Sequence, residues 1–394
     1  MAIDPVALTA RLVEARSYSG EEDAAADVIE AALRDSGLEP RRVERNVWAA
    51  RGSGERGLLF NSHLDTVPAG PGWTRDPWRA EVVDGKLYGL GSNDAKSCVA
   101  AMLAAFVAAP DPGARGRLVF CASAEEEGPG PGAAPGAGCR GLEITLPHLG
   151  KLAGAVIGEP TNLAICAGQR GRTVLRLVCE GKSGHASRPH EGVNAIELAA
   201  RALASLSPLL SDDALGADGL LGRATLCPTL IEGGTKSNVI PARCAITIDC
   251  RTTPGFDNAT AARRLAEVAS VLAPFDPTSR SARGRGSVES GGRDTGSNLE
   301  GQVRVEVLNA RFQPVVTPRD SAIFRAARSA LPGAEVRALG GVSDLFHVAQ
   351  LGIPGVIVGP GQGAQSHQAD EFVRADAVRA AAAAYQRIAE EFFR

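Results

Sequence analysis

Two residues apart, His63 and Asp65 follow a short apolar run, Gly57-Leu58-Leu59-Phe60. In an extended chain, positions i and i+2 project to the same side. An imidazole at 63 can therefore bind a metal while the carboxylate at 65 fixes its tautomer. Further along come Asp94, the acidic run Glu125-Glu126-Glu127, Glu159 and His367. His63, Asp94, Glu127, Glu159 and His367 together form a nitrogen and oxygen donor set that suits two zinc-like ions. Zinc takes both ligand types, and a carboxylate can bridge two ions roughly 3.5–4 Å apart. Taken singly, each residue has an ordinary reading. His63 can be a solvated imidazole beside a turn acid, and the triplet a solvated charged run. Glu159 before Pro160 can be a turn residue, and His367 a surface histidine.

Placement argues for a joint role. Gly57–Phe60 reads as a buried strand, Arg117–Ala122 as a second and Gly154–Ile157 as a third. His63, the acidic run and Glu159 each fall just beyond one of them. The apolar stretch Ser97–Ala109 reads as a buried helix directly behind Asp94. Residues 4–37 read as a helix pair opened by Asp4-Pro5 and stopped at Gly37, followed by a strand near Val43–Ala50. Strands alternating with helices imply a mostly parallel, helix-covered α/β sheet, and such sheets bind ligands beyond the carboxyl ends of their strands.

After about Gly168 the pattern changes. Thr173–Cys179, Thr225–Ile231, Cys244–Arg251 and Val303–Leu308 read as strands, with helices over Val193–Leu210 and Ala261–Leu272. That β-α-β-β-α-β order is ferredoxin-like. It predicts an inserted domain over 169–311 and a discontinuous first domain over 1–168 and 312–394. Within the insert, the Ser/Arg/Gly-rich stretch Pro277–Gln302 reads as a mobile loop. A helix over Asp320–Ala330, a strand over Gly352–Val358 and a closing helix over Ala375–Phe393 complete the first domain.

Bulk properties narrow the function classes. A length of 394 residues favours two domains over one. A net charge of −3 gives no electrostatic reason to expect nucleic acid or an anionic membrane surface. No apolar run reaches the roughly 18 residues of a membrane span. Met1-Ala2-Ile3-Asp4-Pro5 has no basic-then-apolar leader character, so a cytoplasmic location is expected. The eight cysteines contain no C-x-x-C pair and several lie in apolar runs, which predicts reduced, buried thiols.

The blocks in order resemble the di-zinc amidohydrolase family of acetylornithine deacetylase, succinyl-diaminopimelate desuccinylase, aminoacylase and glutamate carboxypeptidase. The first matching blocks are His63-Leu64-Asp65-Thr66-Val67-Pro68, Asp84-Gly85-Lys86-Leu87-Tyr88-Gly89 through Asp94-Ala95-Lys96, Ala124-Glu125-Glu126-Glu127 and Gly158-Glu159-Pro160-Thr161. They continue with Gly184-His185-Ala186-Ser187-Arg188-Pro189, Gly234-Thr235-Lys236-Ser237-Asn238, Asp249-Cys250-Arg251 and Gly359-Pro360-Gly361 through His367 to Asp370-Glu371.

The resemblance implies two Zn2+ ions, for which Co2+ can substitute. It implies that Asp94 bridges them, with His63 and Glu159 completing one site and Glu127 and His367 the other. Asp65 would orient His63. Glu126 would be the general base and acid toward a metal-bridging water. In the alternative register, Glu125 is the base and Glu126 the ligand. His185 would meet the oxyanion, reaching a neighbouring subunit's site in a homodimer formed through the inserted domain. Asn238 and Arg251 would hold a substrate carboxylate.

The expected reaction is hydrolysis of an N-acyl amino acid. The Gly158-Glu159-Pro160-Thr161 block and the Ala124 lead-in point to N-acetyl-L-ornithine, in arginine biosynthesis. Succinyl-diaminopimelate desuccinylation and a carboxypeptidase activity are the alternatives within the family. A non-catalytic amino-acid or peptide binder is the alternative outside it. Leu90 in place of a common Arg, and Ala95-Lys96-Ser97 in place of Met-Lys-Gly, depart from the pattern and bear on substrate rather than on reaction class.

Overall fold

The computed structural model describes residues 2–128, 138–210, 215–271 and 301–394. The stretch expected to be a mobile loop, 277–302, lies outside the described residues up to 300, and Gln302 opens a strand. The chain divides into two compact units. Met1–Arg170, Gly219–Leu221 and Pro314–Arg394 form the first, and Gly171–Asp218 with Gly222–Gln313 form the second.

The first unit is built on a mixed, mostly parallel sheet. Its strand order is Arg41–Val43, Asn46–Arg51, Arg117–Ser123, Gly57–His63, Gly154–Ile157, Gly355–Ile357, Ile165–Gln169 and Val315–Val316. Gly57–His63 runs parallel to both Arg117–Ser123 and Gly154–Ile157, and Gly355–Ile357 runs parallel to Gly154–Ile157. All seven residues of Gly57–His63 are buried. Their alternation divides the core, as the pleat requires. Leu58 and Phe60 join the large cluster that includes helices Ser97–Ala108 and Ala375–Phe392, while Leu59 joins a smaller one with Leu142, Leu345 and Val348. Ser97–Ala108 is buried almost throughout, consistent with an apolar sequence that has no polar face. The first helix, Pro5–Glu14, starts where Asp4 accepts from the Val6 N–H at 2.9 Å with Pro5 in the first turn.

Several elements differ from expectation. Val43–Ala50 is a hairpin, not one strand: Arg41–Val43 folds back on Asn46–Arg51 through Glu44 at φ 52°. Ile165–Gln169 and Val336–Leu339 form a parallel pair, and Glu81–Val83, Lys86–Tyr88 and Phe372–Arg374 form a separate three-stranded sheet. Val336–Leu339 and the strands of the three-stranded sheet lack the apolar runs that mark the central ones.

The second unit is a four-stranded antiparallel sheet in the order Thr225–Gly233, Arg243–Thr252, Gly171–Glu180, Gln302–Phe312. Helices Ala195–Leu210 and Asn258–Val271 cover one face, and Leu175, Leu177, Ile246 and Ile248 pack there with Leu198, Leu206 and Leu265. This is the ferredoxin-like β-α-β-β-α-β unit. All eight cysteines are free; seven are buried and Cys227 is exposed.

Candidate metal centre

Three adjacent parallel strands deliver the first groups. His63 is the last residue of Gly57–His63, Glu125–Glu127 follow Arg117–Ser123, and Glu159 lies two residues beyond Ile157. Ligands are expected at such carboxyl ends. Asp94 comes from the segment that leads into helix Ser97–Ala108, where the Asp94–Ala95 peptide is cis. His367, at φ 62°, comes from the loop before Phe372–Arg374.

These residues converge into two groups that share one member. His63, Asp94 and Glu159 each offer a ligand atom within 4.8 Å of the others, and so do Asp94, Glu127 and His367. His63 Nε2 lies 3.5 Å from Asp94 Oδ1, and His367 Nε2 lies 3.0 Å from Glu127 Oε1 and 3.9 Å from Asp94 Oδ2. Behind His63, Nδ1 faces the Asp65 carbonyl at 3.1 Å and Asp65 Oδ1 at 3.4 Å. Asp65 has contacts beyond the imidazole. Its Oδ1 accepts from the Glu126 N–H and its Oδ2 from the Glu127 N–H, both at 3.0 Å, and Ser19 Oγ donates to Oδ2 at 2.6 Å.

The three side chains of the acidic triplet go to different partners. Glu125 pairs with Arg45 and Arg140, Glu126 Oε1 accepts from the Cys139 thiol at 3.3 Å, and Glu127 meets His367. Glu125 sits at φ 53°, which turns the chain between the first and second acid.

Residues 59–391 match the model of peptidase family M20/M25/M40. The chain belongs to that family. As an M20-type chain it is a hydrolytic enzyme. It is 35% identical to a succinyl-diaminopimelate desuccinylase of Cereibacter sphaeroides (strain KD131) over 287 residues, covering 68% of this chain and 73% of that protein. A succinyl-diaminopimelate desuccinylase of Caulobacter vibrioides (strain NA1000) is 28% identical, covering 100% of this chain and 97% of its own. The aminopeptidase PepT of Bacillus cereus shares the fold at TM-score 0.73 and 20% identity, covering 99% of this chain and 98% of that one. Bacillus subtilis YxeP, described as a dinuclear metal binding peptidase of the M20 family, shares it at TM-score 0.67 and 16% identity, covering 98% and 96%.

The electrostatics of this M20 centre fit divalent cations. Burial pushes the Glu126 carboxyl well above the usual range, reinforced by the charges of Glu127, Asp344 and Asp65. Burial raises Glu159 in the same way, with Glu126 next in effect. Burial also raises Glu127, checked by the hydrogen bond from His367. Burial alone would raise Asp94 and lower His63. Hydrogen bonding reverses both: its bond to His63 leaves Asp94 below its ordinary value, and the bonds to Asp65 first and Asp94 second hold His63 well above its own. His367 is held at about 9, chiefly by its bond to Glu127. Carboxylates crowded in a buried space call for positive charge, and the imidazole and carboxylate donor set is the kind zinc takes.

Three residues expected to contact substrate lie in the second unit. His185 is exposed, with Nδ1 2.7 Å from Ser187 Oγ. Asn238 is exposed, and its carbonyl accepts from the Ala186 N–H at 3.0 Å. Arg251 is half-buried, and its Nε donates to Asp249 Oδ1 at 2.7 Å. Residues around the M20 centre that sequence reasoning missed include Asp344 and Glu371. Asp344 Oδ2 accepts from Asn61 Nδ2 at 2.8 Å and Ser123 Oγ at 3.0 Å, beneath the strands that carry His63 and the triplet. Glu371 is pushed up to about 7 by burial and the charge of Asp94. Their partners lie far away in sequence, so no local pattern marks them. Only the Asp370-Glu371 pair at the end of the last matching block signalled the second of them.

Proposed function

We propose that this chain hydrolyses the amide bond of an N-succinyl amino acid, with succinyl-diaminopimelate as the leading substrate. The observation that carries the proposal is a pair of donor groups sharing Asp94 beside the half-buried Glu126, in a chain matched along its whole length by a desuccinylase. The relatives reported above carry the desuccinylase name, which favours this substrate over N-acetyl-L-ornithine.

Two divalent cations, zinc in this reading, would bring Lewis acidity to the scissile carbonyl and lower the pKa of water. His63, Asp94 and Glu159 would hold one, and Asp94, Glu127 and His367 the other. Glu126 takes a proton from the attacking water and returns it to the leaving amine. The partners of the triplet support this register: Glu125 is occupied by two arginines, while Glu127 faces His367 and Asp94. Asp65 orients His63 and holds the backbone of both acids. His185 donates to the developing oxyanion, and Asn238 and Arg251 bind substrate carboxylate. A succinyl-diaminopimelate substrate is rich in carboxylates, which suits that pair. The edge strand Thr225–Gly233 exposes Leu230 and Ile231, each 59% accessible, and supports a homodimer through this edge.

The test compares kcat/KM for succinyl-diaminopimelate, N-acetylornithine and a glutamyl dipeptide, before and after chelation. The succinyl substrate should be fastest, and chelation should abolish turnover. Faster hydrolysis of either competitor overturns the substrate, and full activity in excess chelator overturns the metal centre.

A further inference from the structure

The last matched block ends on Asp370-Glu371, and the metal chemistry proposed above uses neither residue. Glu371 is only 1% exposed, yet it contributes to neither group of candidate ligands. Its carboxylate turns instead to the backbone that carries Asp94. Oε2 accepts from the Gly91 N–H at 3.0 Å, and Oε1 accepts from the Asn93 N–H at 2.8 Å and the Asp94 N–H at 3.0 Å. The Glu371 carbonyl adds two more contacts, accepting from the Gly89 N–H at 3.0 Å and from Ser92 Oγ at 3.4 Å.

A second clasp joins the same two segments. Asn93 Oδ1 accepts from the Gln362 N–H at 2.8 Å, and its Nδ2 donates to the Gln362 carbonyl at 3.1 Å. Gly361, at φ +81°, lies so close that a Cβ there would collide with Asn93 Oδ1. One side of this double clasp carries Asp94 and the other carries His367.

Three N–H groups converging on one buried side chain require an acceptor without a donor of its own. A carboxylate meets that demand, with charge-assisted bonds about twice as strong as neutral ones. Because one of the three is the N–H of Asp94 itself, the backbone from which the shared carboxylate projects is fixed by Glu371. We propose that Glu371 is a positioning residue that locks the Asp94 and His367 segments into one frame, so that both cations depend on it. The proposal rests on the two-cation reading of the site. Asp370 is a natural control. It accepts from Thr74 N–H at 2.9 Å, Thr74 Oγ at 2.6 Å and the Arg75 N–H at 3.1 Å, and so ties down a different segment.

The experiment measures Zn2+ and Co2+ affinity by competition with a chromophoric chelator. It uses the wild-type protein, Glu371→Gln, Asp370→Asn, Asp94→Asn and the Asp94→Asn/Glu371→Gln double variant. Co2+ d–d absorption reports ligand geometry, and melting of the chelator-treated proteins reports the fold. Glu371→Gln sets an amide NH2 against backbone N–H groups. It should weaken both cations roughly 10–100-fold and alter the Co2+ spectrum, while Asp370→Asn leaves affinity and spectrum unchanged. In the Asp94→Asn background the same substitution should add little, since its effect passes through Asp94.

A folded Glu371→Gln protein with wild-type affinity and an unaltered spectrum overturns the proposal, and so does an equal loss in both backgrounds. Should Glu371→Gln fail to fold, Glu371→Asp carries the same comparison. Its arm is one methylene shorter and cannot hold all three N–H groups without moving the Asp94 segment. A folded Asp variant with wild-type affinity for both cations therefore overturns the proposal. Wild-type protein that binds no cation overturns the two-cation reading and this inference with it, whereas equal binding by wild type and variant overturns this inference alone.

Discussion

Asp65→Asn isolates what a buried carboxylate contributes beneath the site. The native side chain serves Ser19 Oγ at 2.6 Å and the Glu126 and Glu127 N–H groups at 3.0 Å, with His63 Nδ1 at 3.4 Å. Asparagine has the same shape but only one acceptor oxygen. If that oxygen keeps the Glu126 N–H, the amide nitrogen confronts the Glu127 N–H. Ser19 can rotate to accept, but the backbone donor cannot. One buried unsatisfied N–H costs about 1–3 kcal/mol, and loss of charge assistance on the surviving bond about 1 kcal/mol more. The expected destabilisation is therefore about 2–4 kcal/mol, against about 3–5 kcal/mol for Asp65→Ala, which removes every acceptor. Ser19→Ala removes one donor and should cost about 0.5–1.5 kcal/mol. The assay is urea unfolding of chelator-treated protein by tryptophan fluorescence. Trp48, Trp73 and Trp78 are the chain's three tryptophans and all belong to the first unit, so the signal reports that unit. With a slope of about 3 kcal/mol/M, the Asn midpoint should fall by roughly 1 M. An Asn midpoint at the wild-type value, or a larger loss in Ser19→Ala than in Asp65→Asn, refutes the reasoning.

Glu126→Gln should retain two cations by elemental analysis while turnover falls about 10²–10⁴-fold; Glu127→Gln should instead weaken one cation. The reverse pattern shifts the triplet by one residue. Asp94→Ala should lower metal content at both positions, and wild-type stoichiometry would remove its bridging role. Mixing His185→Ala chains with Glu126→Gln chains, each nearly inactive alone, should restore part of the activity if the site is shared between subunits. No recovery, with mixed dimers confirmed by mass, refutes the sharing.

The metal-binding candidates were legible because strand ends leave a local signature: an apolar run followed by an acid or imidazole. His63, the acidic triplet and Glu159 all carry it, and the blocks around them are long enough to mark the family. The two-layer core was legible too, since Leu58, Leu59 and Phe60 form a continuous apolar run of the kind a strand covered on both faces needs. What escaped were contacts between distant positions and strands too short to show a period. Asp344 meets Asn61 across 283 residues, and Glu371 meets Asp94 across 277. Lys86–Tyr88 and Phe372–Arg374 have three residues each, too few to display alternation, and are strands through their pairing, with one another and, for Lys86–Tyr88, with Glu81–Val83. The partners of Glu125 escaped for the same reason, since nothing near Arg45 or Arg140 announces an ion pair.

The strand order of the first unit has a consequence for how the chain is made. Gly154–Ile157 and Ile165–Gln169 are near neighbours in sequence, yet Gly355–Ile357 lies between them in the sheet. The ribosome therefore finishes both flanking strands roughly 190 residues before the strand that joins them, an interval of about 10–40 s at ordinary elongation rates. Throughout that time the N-terminal half of the sheet holds an unfilled lane, with backbone donors and acceptors open at its edge. The second unit is synthesised inside the interval and has an apolar cluster of its own, so it can fold first. The lane closes only when the C-terminal segment arrives. That segment also brings His367 and Glu371, so the sheet and the metal centre are completed by the same stretch of chain.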